Sequence, residues 1–200
     1  RPVLYYSLKA FEDSAVDEIV LVVGKGEEKF CRKEIVDKYG ISKVKAIVEG
    51  GKERYHSVFE GLKQTSDADY VLIHDGARPF VNQDIIRRCM QEVQKYQACV
   101  VGMPVKDTIK IADEEGYAKQ TPDRKNVWMI QTPQTFSYAL IYEAYEAMLK
   151  TEDTAITDDA MVLERIKGKK SKLIEGSYRN IKITTPEDLL IANVYLQHPE

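Results

Sequence analysis

Short apolar runs alternate with longer amphipathic stretches along most of this chain. Ile19-Val20-Leu21-Val22-Val23, residues 44–48, Val71-Leu72-Ile73 and residues 99–103 carry little polar interruption. Such runs predict strands buried on both faces. The stretches between them repeat at helical spacing. Pro2 suits a first helical position, and Val3, Leu4, Ser7, Leu8 and Phe11 then share one face. Cys31, Ile35 and Tyr39 mark a second helix, residues 57–62 a short third, and Ile85, Ile86, Cys89, Met90 and Val93 a long one starting at Asn82 or Gln83 and ending at Tyr96. Each strand finishes in glycine, proline or charge. Alternation of this kind predicts one α/β domain, a doubly wound and mainly parallel sheet with helices on both faces.

The pattern breaks after Pro104. Residues 106–126 are polar, with a β-prone piece at Thr108-Ile109-Lys110-Ile111 and a turn at Glu114-Glu115-Gly116. They predict a hairpin arm standing away from the core. So little apolar surface cannot bury itself, which leaves a second subunit to cover it. Residues 127–130 return to the sheet. Helices are expected over 137–149 and 158–166, and short strands over 172–174 and 180–183. Thr185-Pro186-Glu187-Asp188 has the makeup of a helix cap: threonine at the N-cap, proline in the first turn and an acid three residues on.

Charge and composition narrow the classes. The net charge of −3 over 200 residues comes with no basic block, which argues against a nucleic-acid binder. No apolar run approaches the ~18 residues of a membrane helix, and no secretory leader is expected. Cys31, Cys89 and Cys99 sit among apolar residues and read as reduced core thiols of a cytoplasmic protein. His56, His74 and His198 lack metal-ligand spacing, against a zinc site.

Four groups could carry chemistry. Asp75-Gly76-Ala77-Arg78-Pro79 follows the third strand, and in an open sheet ligands bind at the strands' carboxyl ends. A carboxylate able to hold a divalent metal stands beside a guanidinium able to fork onto phosphate. The same two residues could equally staple a turn. Gly50-Gly51 and Gly24/Gly26 open on the same edge, where glycines let backbone N–H groups approach an anion or a base. Thr157-Asp158-Asp159 precedes a helix; capping explains such triplets, and a helix N-terminus also suits phosphate. Strand alternation over 180–184 would point Lys182 and Thr184 the same way. Asp107-Thr108 and Asp123-Arg124, at the two ends of the arm, read as surface. No serine–histidine–acid or cysteine–histidine arrangement is evident. Phosphoryl chemistry on an ionised phosphate needs no such base and rests on positioning and charge.

In their order and spacing, Asp75-Gly76-Ala77-Arg78-Pro79-Phe80, Val105-Lys106-Asp107-Thr108-Ile109-Lys110, Thr132-Pro133-Gln134, Thr157-Asp158-Asp159 and residues 180–188 resemble the 2-C-methyl-D-erythritol 4-phosphate cytidylyltransferase family over essentially the whole chain. The resemblance implies a Rossmann-like nucleotidyltransferase that moves a cytidylyl group from CTP to methylerythritol phosphate with Mg²⁺. It implies Asp75 as metal ligand near both substrates, Gly50, Gly51 and Ser57 around cytosine, and Gly76 close to the nucleotide. Arg78, Thr157, Lys182 and Thr184 would bind the sugar phosphate. A homodimer formed through the arm would bring Thr108 and Arg124 to the neighbour's site. Arg124 and Lys182 would align the substrate phosphate for attack. The resemblance also implies a first strand and a glycine-rich loop with two cations, the triphosphate cradle, ahead of Pro2. The sequence begins after them, so weak or absent turnover is expected of these residues alone. Two other readings stand beside this one: ribitol 5-phosphate cytidylyltransferase, and a CTP-binding module without catalysis.

Overall fold

The computed structural model describes residues 1–151 and 156–198. Helix α1 (Val3–Glu12) leads into β1 (Ile19–Val23). Helix α2 (Glu28–Cys31) runs on into a π-helical turn (Arg32–Asp37) and then β2 (Val44–Glu49), which lies parallel to β1. Next come α3 (Arg54–Leu62), β3 (Tyr70–Ile73), α4 (Gln83–Tyr96) and β4 (Ala98–Pro104). The arm holds β5 (Ile111–Ala112) and β6 (Ala118–Gln120), which pair with each other. A 3₁₀ turn (Arg124–Asn126) precedes β7 (Trp128–Ser137), followed by α5 (Tyr138–Met148), α6 (Asp159–Lys167), β8 (Lys172–Glu175) and α7 (Pro186–Gln197).

Local chemistry sets these boundaries. Asn82 caps α4 by accepting from the Ile85 amide at 2.9 Å, and Gln97 in the left-handed region ends it. Asp158 caps α6 through the Met161 amide at 2.8 Å, and Gly168 closes it at φ 62°. Thr185 and Asp188 form the expected capping box of α7.

The main sheet has the order β3-β7-β4-β8. Strand β7 runs antiparallel to both β3 and β4, while β8 is parallel to β4. The sheet is therefore mixed, which corrects the mainly parallel expectation. The reason is the length of β7: the arm turns the chain round, and the strand then passes straight through Thr132-Pro133-Gln134. Val100 pairs with Gln134 and Gly102 with Ile130, so three residues of β7 face Val101 alone. That bulge spares Pro133 a ladder bond it could not donate. The expected strand over 180–183 does not form either; its ties are single bonds such as Ile183 N–H to Ala77 O at 2.8 Å.

Helices cover both faces. Phe136, Ala98 and Val100 pack with Ile141, Tyr145, Met148, Val162 and Leu163 on one side. Ile85, Ile86, Cys89 and Val93 pack with Cys99 and Val101 on the other. A third cluster, with Leu8, Leu21, Ile35 and Val44, surrounds β1 and β2. Strands β1 and β3 do not pair, and between them runs a cleft of about 1350 Å³. Its walls are the apolar strands, and Gly50, Gly51, Arg54, Ser57, Asp75 and Gly76 line it beyond the strands' carboxyl ends.

Candidate active site

The turn after β3 is braced from three directions. The Arg78 amide donates to Asp75 O at 2.9 Å and closes the turn. From α1, the buried Ser7 hydroxyl donates to Gly76 O at 2.9 Å. From β7, Thr132 Oγ1 accepts from the Asp75 amide at 3.1 Å and meets His74 Nδ1 at 2.9 Å. His74 Nε2 lies 3.1 Å from Arg78 O, a carbonyl that can only accept. The ring therefore carries its proton on Nε2, donates to that carbonyl, and takes the threonine proton at Nδ1. Burial pushes the His74 pKa down to about 4, so the neutral form prevails.

The Asp75 carboxylate lies between two cations. Lys182 Nζ is 2.8 Å from Oδ2 and Arg54 Nη2 is 3.3 Å from Oδ1. Burial opposes the carboxylate's charge. The Lys182 hydrogen bond and the charges of Arg54, Lys182 and Arg78 outweigh it and hold the carboxyl below the usual range. Arg78 points its fork at backbone: Nη1 donates to Asn180 O at 2.8 Å and Nη2 to Ile130 O at 3.5 Å. The fully buried Asn180 gives its amide to Thr132 O at 2.9 Å and Gln131 Oε1 at 3.2 Å, which seats the segment bearing Lys182.

Across the cleft, Gly50 and Gly51 wrap the start of α3. A Cβ on Gly50 would come within 2.6 Å of Ser57 Oγ, and one on Gly51 within 2.3 Å of the His56 Cβ, so close approach requires both glycines. The Gly51 amide donates to Ser57 Oγ at 3.1 Å. Arg54, one turn earlier, forks onto Asp159 with Nη1–Oδ1 at 2.9 Å and Nη2–Oδ2 at 2.8 Å. Gln134 holds the same end of α6, donating to Asp158 Oδ2 at 3.1 Å and accepting from the Ala160 amide at 2.9 Å.

The structure thus gathers Gly50, Gly51, Ser57, Asp75 and Gly76 at one end of the cleft, with Lys182 and Arg78 against Asp75. Thr157 is exposed just ahead of α6, its hydroxyl 4.0 Å from Met161 Sδ. Asp158, and not Thr157, is the N-cap. The Thr184 hydroxyl faces Asp188 at 3.1 Å instead of joining Lys182. Thr108 and Arg124 lie exposed on the arm, and Arg124 donates to Lys106 O at 3.1 Å. Sequence reading passed over Arg54, and used Thr132, Gln134 and Asp159 only as parts of motifs, without giving any of the three a role of its own. The structure starts α3 at Arg54, ahead of the expected residue 57, and this is what exposes a signal. A cation in the first turn of a helix opposes the helix dipole, which implies an anionic partner elsewhere.

Residues 1–198 match the profile of a family described as 2-C-methyl-D-erythritol 4-phosphate cytidylyltransferase. The protein of that name from Lachnospira eligens is 53% identical over 199 residues, covering 98% of this chain and 87% of its own length. The namesake from Lachnoclostridium phytofermentans is 49% identical over 197 residues, covering 98% and 84%. Among solved structures, 4-diphosphocytidyl-2C-methyl-D-erythritol synthase from Anaerococcus prevotii superposes with a TM-score of 0.90 at 39% identity, over 99% of this chain and 87% of that one. The Thermus thermophilus cytidylyltransferase gives 0.82 at 32% identity, over 98% and 90%.

Proposed function

We propose a division of labour among these residues from one premise: the chain belongs to the 2-C-methyl-D-erythritol 4-phosphate cytidylyltransferase family. It transfers a cytidylyl group from CTP to methylerythritol phosphate in the non-mevalonate route to isoprenoids and releases pyrophosphate. An oxygen of the sugar phosphate attacks the α-phosphorus of CTP, the new P–O bond forms, and the bond to pyrophosphate breaks. The attacking oxygen is already ionised, so side chains need only orient it and offset charge.

In our reading, Gly50, Gly51 and Ser57 take the cytosine, where the missing Cβ atoms let the base approach backbone. Gly76 borders the triphosphate. Lys182, with Thr157, Thr184 and the charge of Arg78, receives the sugar phosphate. Mg²⁺ fits Asp75 on the chemistry of its donors: a hard carboxylate lining the cleft just past the end of β3, 17% exposed. No group of three His, Cys, Asp or Glu side chains converges among the described residues. Phosphate oxygens and water would complete the shell, as Mg²⁺ commonly requires. When bound, the ion offsets charge on the triphosphate. The arm pairs two copies into a homodimer and delivers Thr108 and Arg124 to the partner's site, where Arg124 joins Lys182 in aligning the phosphate. The free, buried Cys31, Cys89 and Cys99 suit a cytoplasmic setting. No described helix is long and apolar enough to cross a membrane.

The contact that carries this reading is the 2.8 Å approach of Lys182 to Asp75. It sets the phosphate's cation beside the metal's ligand. Pyrophosphate release should require CTP and methylerythritol phosphate, and ribitol 5-phosphate should substitute poorly. Equal turnover of ribitol phosphate would overturn the assigned substrate. Undiminished kcat in Lys182→Ala would overturn the assigned role.

A further inference from the structure

We propose that Arg54 is a positioning residue that fixes one oxygen of Asp75 and locks the nucleotide segment to the start of α6. The inference rests on the functional reading above and extends it to a side chain with no role assigned there.

The geometry is specific. Arg54 Nη2 reaches both Asp159 Oδ2 at 2.8 Å and Asp75 Oδ1 at 3.3 Å, while Nη1 takes Asp159 Oδ1 at 2.9 Å. Asp159 is fully buried, and the Tyr145 hydroxyl donates to its Oδ1 at 2.6 Å. Three protons therefore converge on this carboxylate, and its plane sets the plane of the guanidinium. Burial works against the Arg54 charge, but the Asp159 hydrogen bonds and the charges of Asp159 and Asp75 keep it firmly protonated. A buried pair of this kind contributes little net stability relative to a well-packed apolar pair. What it supplies is a direction: a planar fork, pinned on one edge, aimed at Asp75.

The two oxygens of Asp75 are consequently unlike. Oδ1 faces Arg54, which is anchored to a buried carboxylate. Oδ2 faces Lys182, whose side chain is 42% exposed and free to swing to an incoming phosphate. Once Lys182 turns to the substrate, Oδ2 is open to a metal while Oδ1 stays on Arg54. The same fork joins α3, with its Gly50–Ser57 segment, to the residues just after Thr157. The groups assigned to the nucleotide and to the sugar phosphate thus keep a fixed spacing.

Arg54→Met/Asp159→Asn tests this without leaving a buried charge unpaired. Arg54→Lys keeps the charge but loses the fork. The protein expressed from its natural gene serves as reference, with melting temperature, metal-free CTP affinity by calorimetry, and kcat by pyrophosphate release. The double variant should lose about a hundredfold in kcat and Arg54→Lys about tenfold, since misplacement of such groups costs rate steeply. The metal-free CTP dissociation constant should stay within about threefold, because Asp75 contributes little to it until a metal is present. A folded variant with kcat within about twofold of the reference overturns the proposal. So does a kcat loss matched by an equal loss of CTP affinity, the mark of a merely structural role. If the double variant does not fold, Arg54→Lys alone decides by the same criteria. If the reference protein neither binds CTP nor releases pyrophosphate, the functional reading itself has failed, and this inference falls with it.

Discussion

Around Asp75, the charged side chains are each tied to a different element: Arg54 from α3, Asp159 from α6, Lys182 from the segment before α7, and Arg78 through Asn180. On the arm, Thr108 and Arg124 stand exposed, and Ile111 and Tyr117 expose much of their apolar surface. The arm is ordered from within by its turn, where Asp113 Oδ1 accepts from the Glu115 and Tyr117 amides at 3.1 and 2.8 Å. The first region is cross-linked within one chain. The second has a defined shape but few partners. If both serve one reaction, half the site is pre-organised by folding and half is completed by association.

The sharpest break of that contrast is Asp75→Ala. Loss of the carboxylate that lies between Arg54 and Lys182 should lower kcat by about three orders of magnitude, the scale of removing a charge-stabilising group from a reacting centre. Arg124→Ala should cost about a hundredfold. Its loss should also be rescued in mixtures: with an arm that crosses between subunits, equal amounts of Arg124→Ala and Asp75→Ala protein regain about a quarter of the native sites. No regain would return Arg124 to its own chain. A smaller effect probes the folded cluster without substrates. Because burial lowers the His74 pKa to about 4 from 6.5, the unfolded chain binds more protons between those values. Stability should therefore fall as pH drops through that window, by up to about 3 kcal/mol, and then level. Asp75, depressed below 3.8, adds its own loss only at lower pH. In metal-free urea melts, His74→Gln should flatten the slope between pH 6.5 and 4. Smallest of all, Asp188→Ala removes the acceptor for the Thr184 and Thr185 amides and should lower the melting temperature by about a few degrees or less.

Apolar runs made most of the fold legible. The strands at 19–23 and 70–73, helix α4 and the α7 cap all follow from patterns a few residues long. The direction of β7 was not legible. Gln131-Thr132-Pro133-Gln134 has the composition of a strand's end, and only the pairing with β3 and β4 shows it as a strand's middle. The site divided likewise. Asp75, Gly50 and Gly51 announce themselves by local chemistry, since a carboxylate after an apolar run and paired glycines are uncommon without cause. Lys182 was marked by strand alternation, over a segment that forms no strand, whereas Arg124 was promoted only by the resemblance. The Arg54–Asp159 pair, 105 residues apart, left no pattern in the helix expected from residue 57.

Strand β7 sends Gln131 and the Thr132 carbonyl to Asn180, the Thr132 hydroxyl to the Asp75 turn, and Gln134 to the start of α6. On the proposed function, selection for catalysis consequently reaches into an interior strand as well as the pocket. Drift at those three codons would be purged as firmly as drift at the pocket itself. An organism under pressure from an inhibitor aimed at that pocket would find no easy escape route by repacking the strand beneath it.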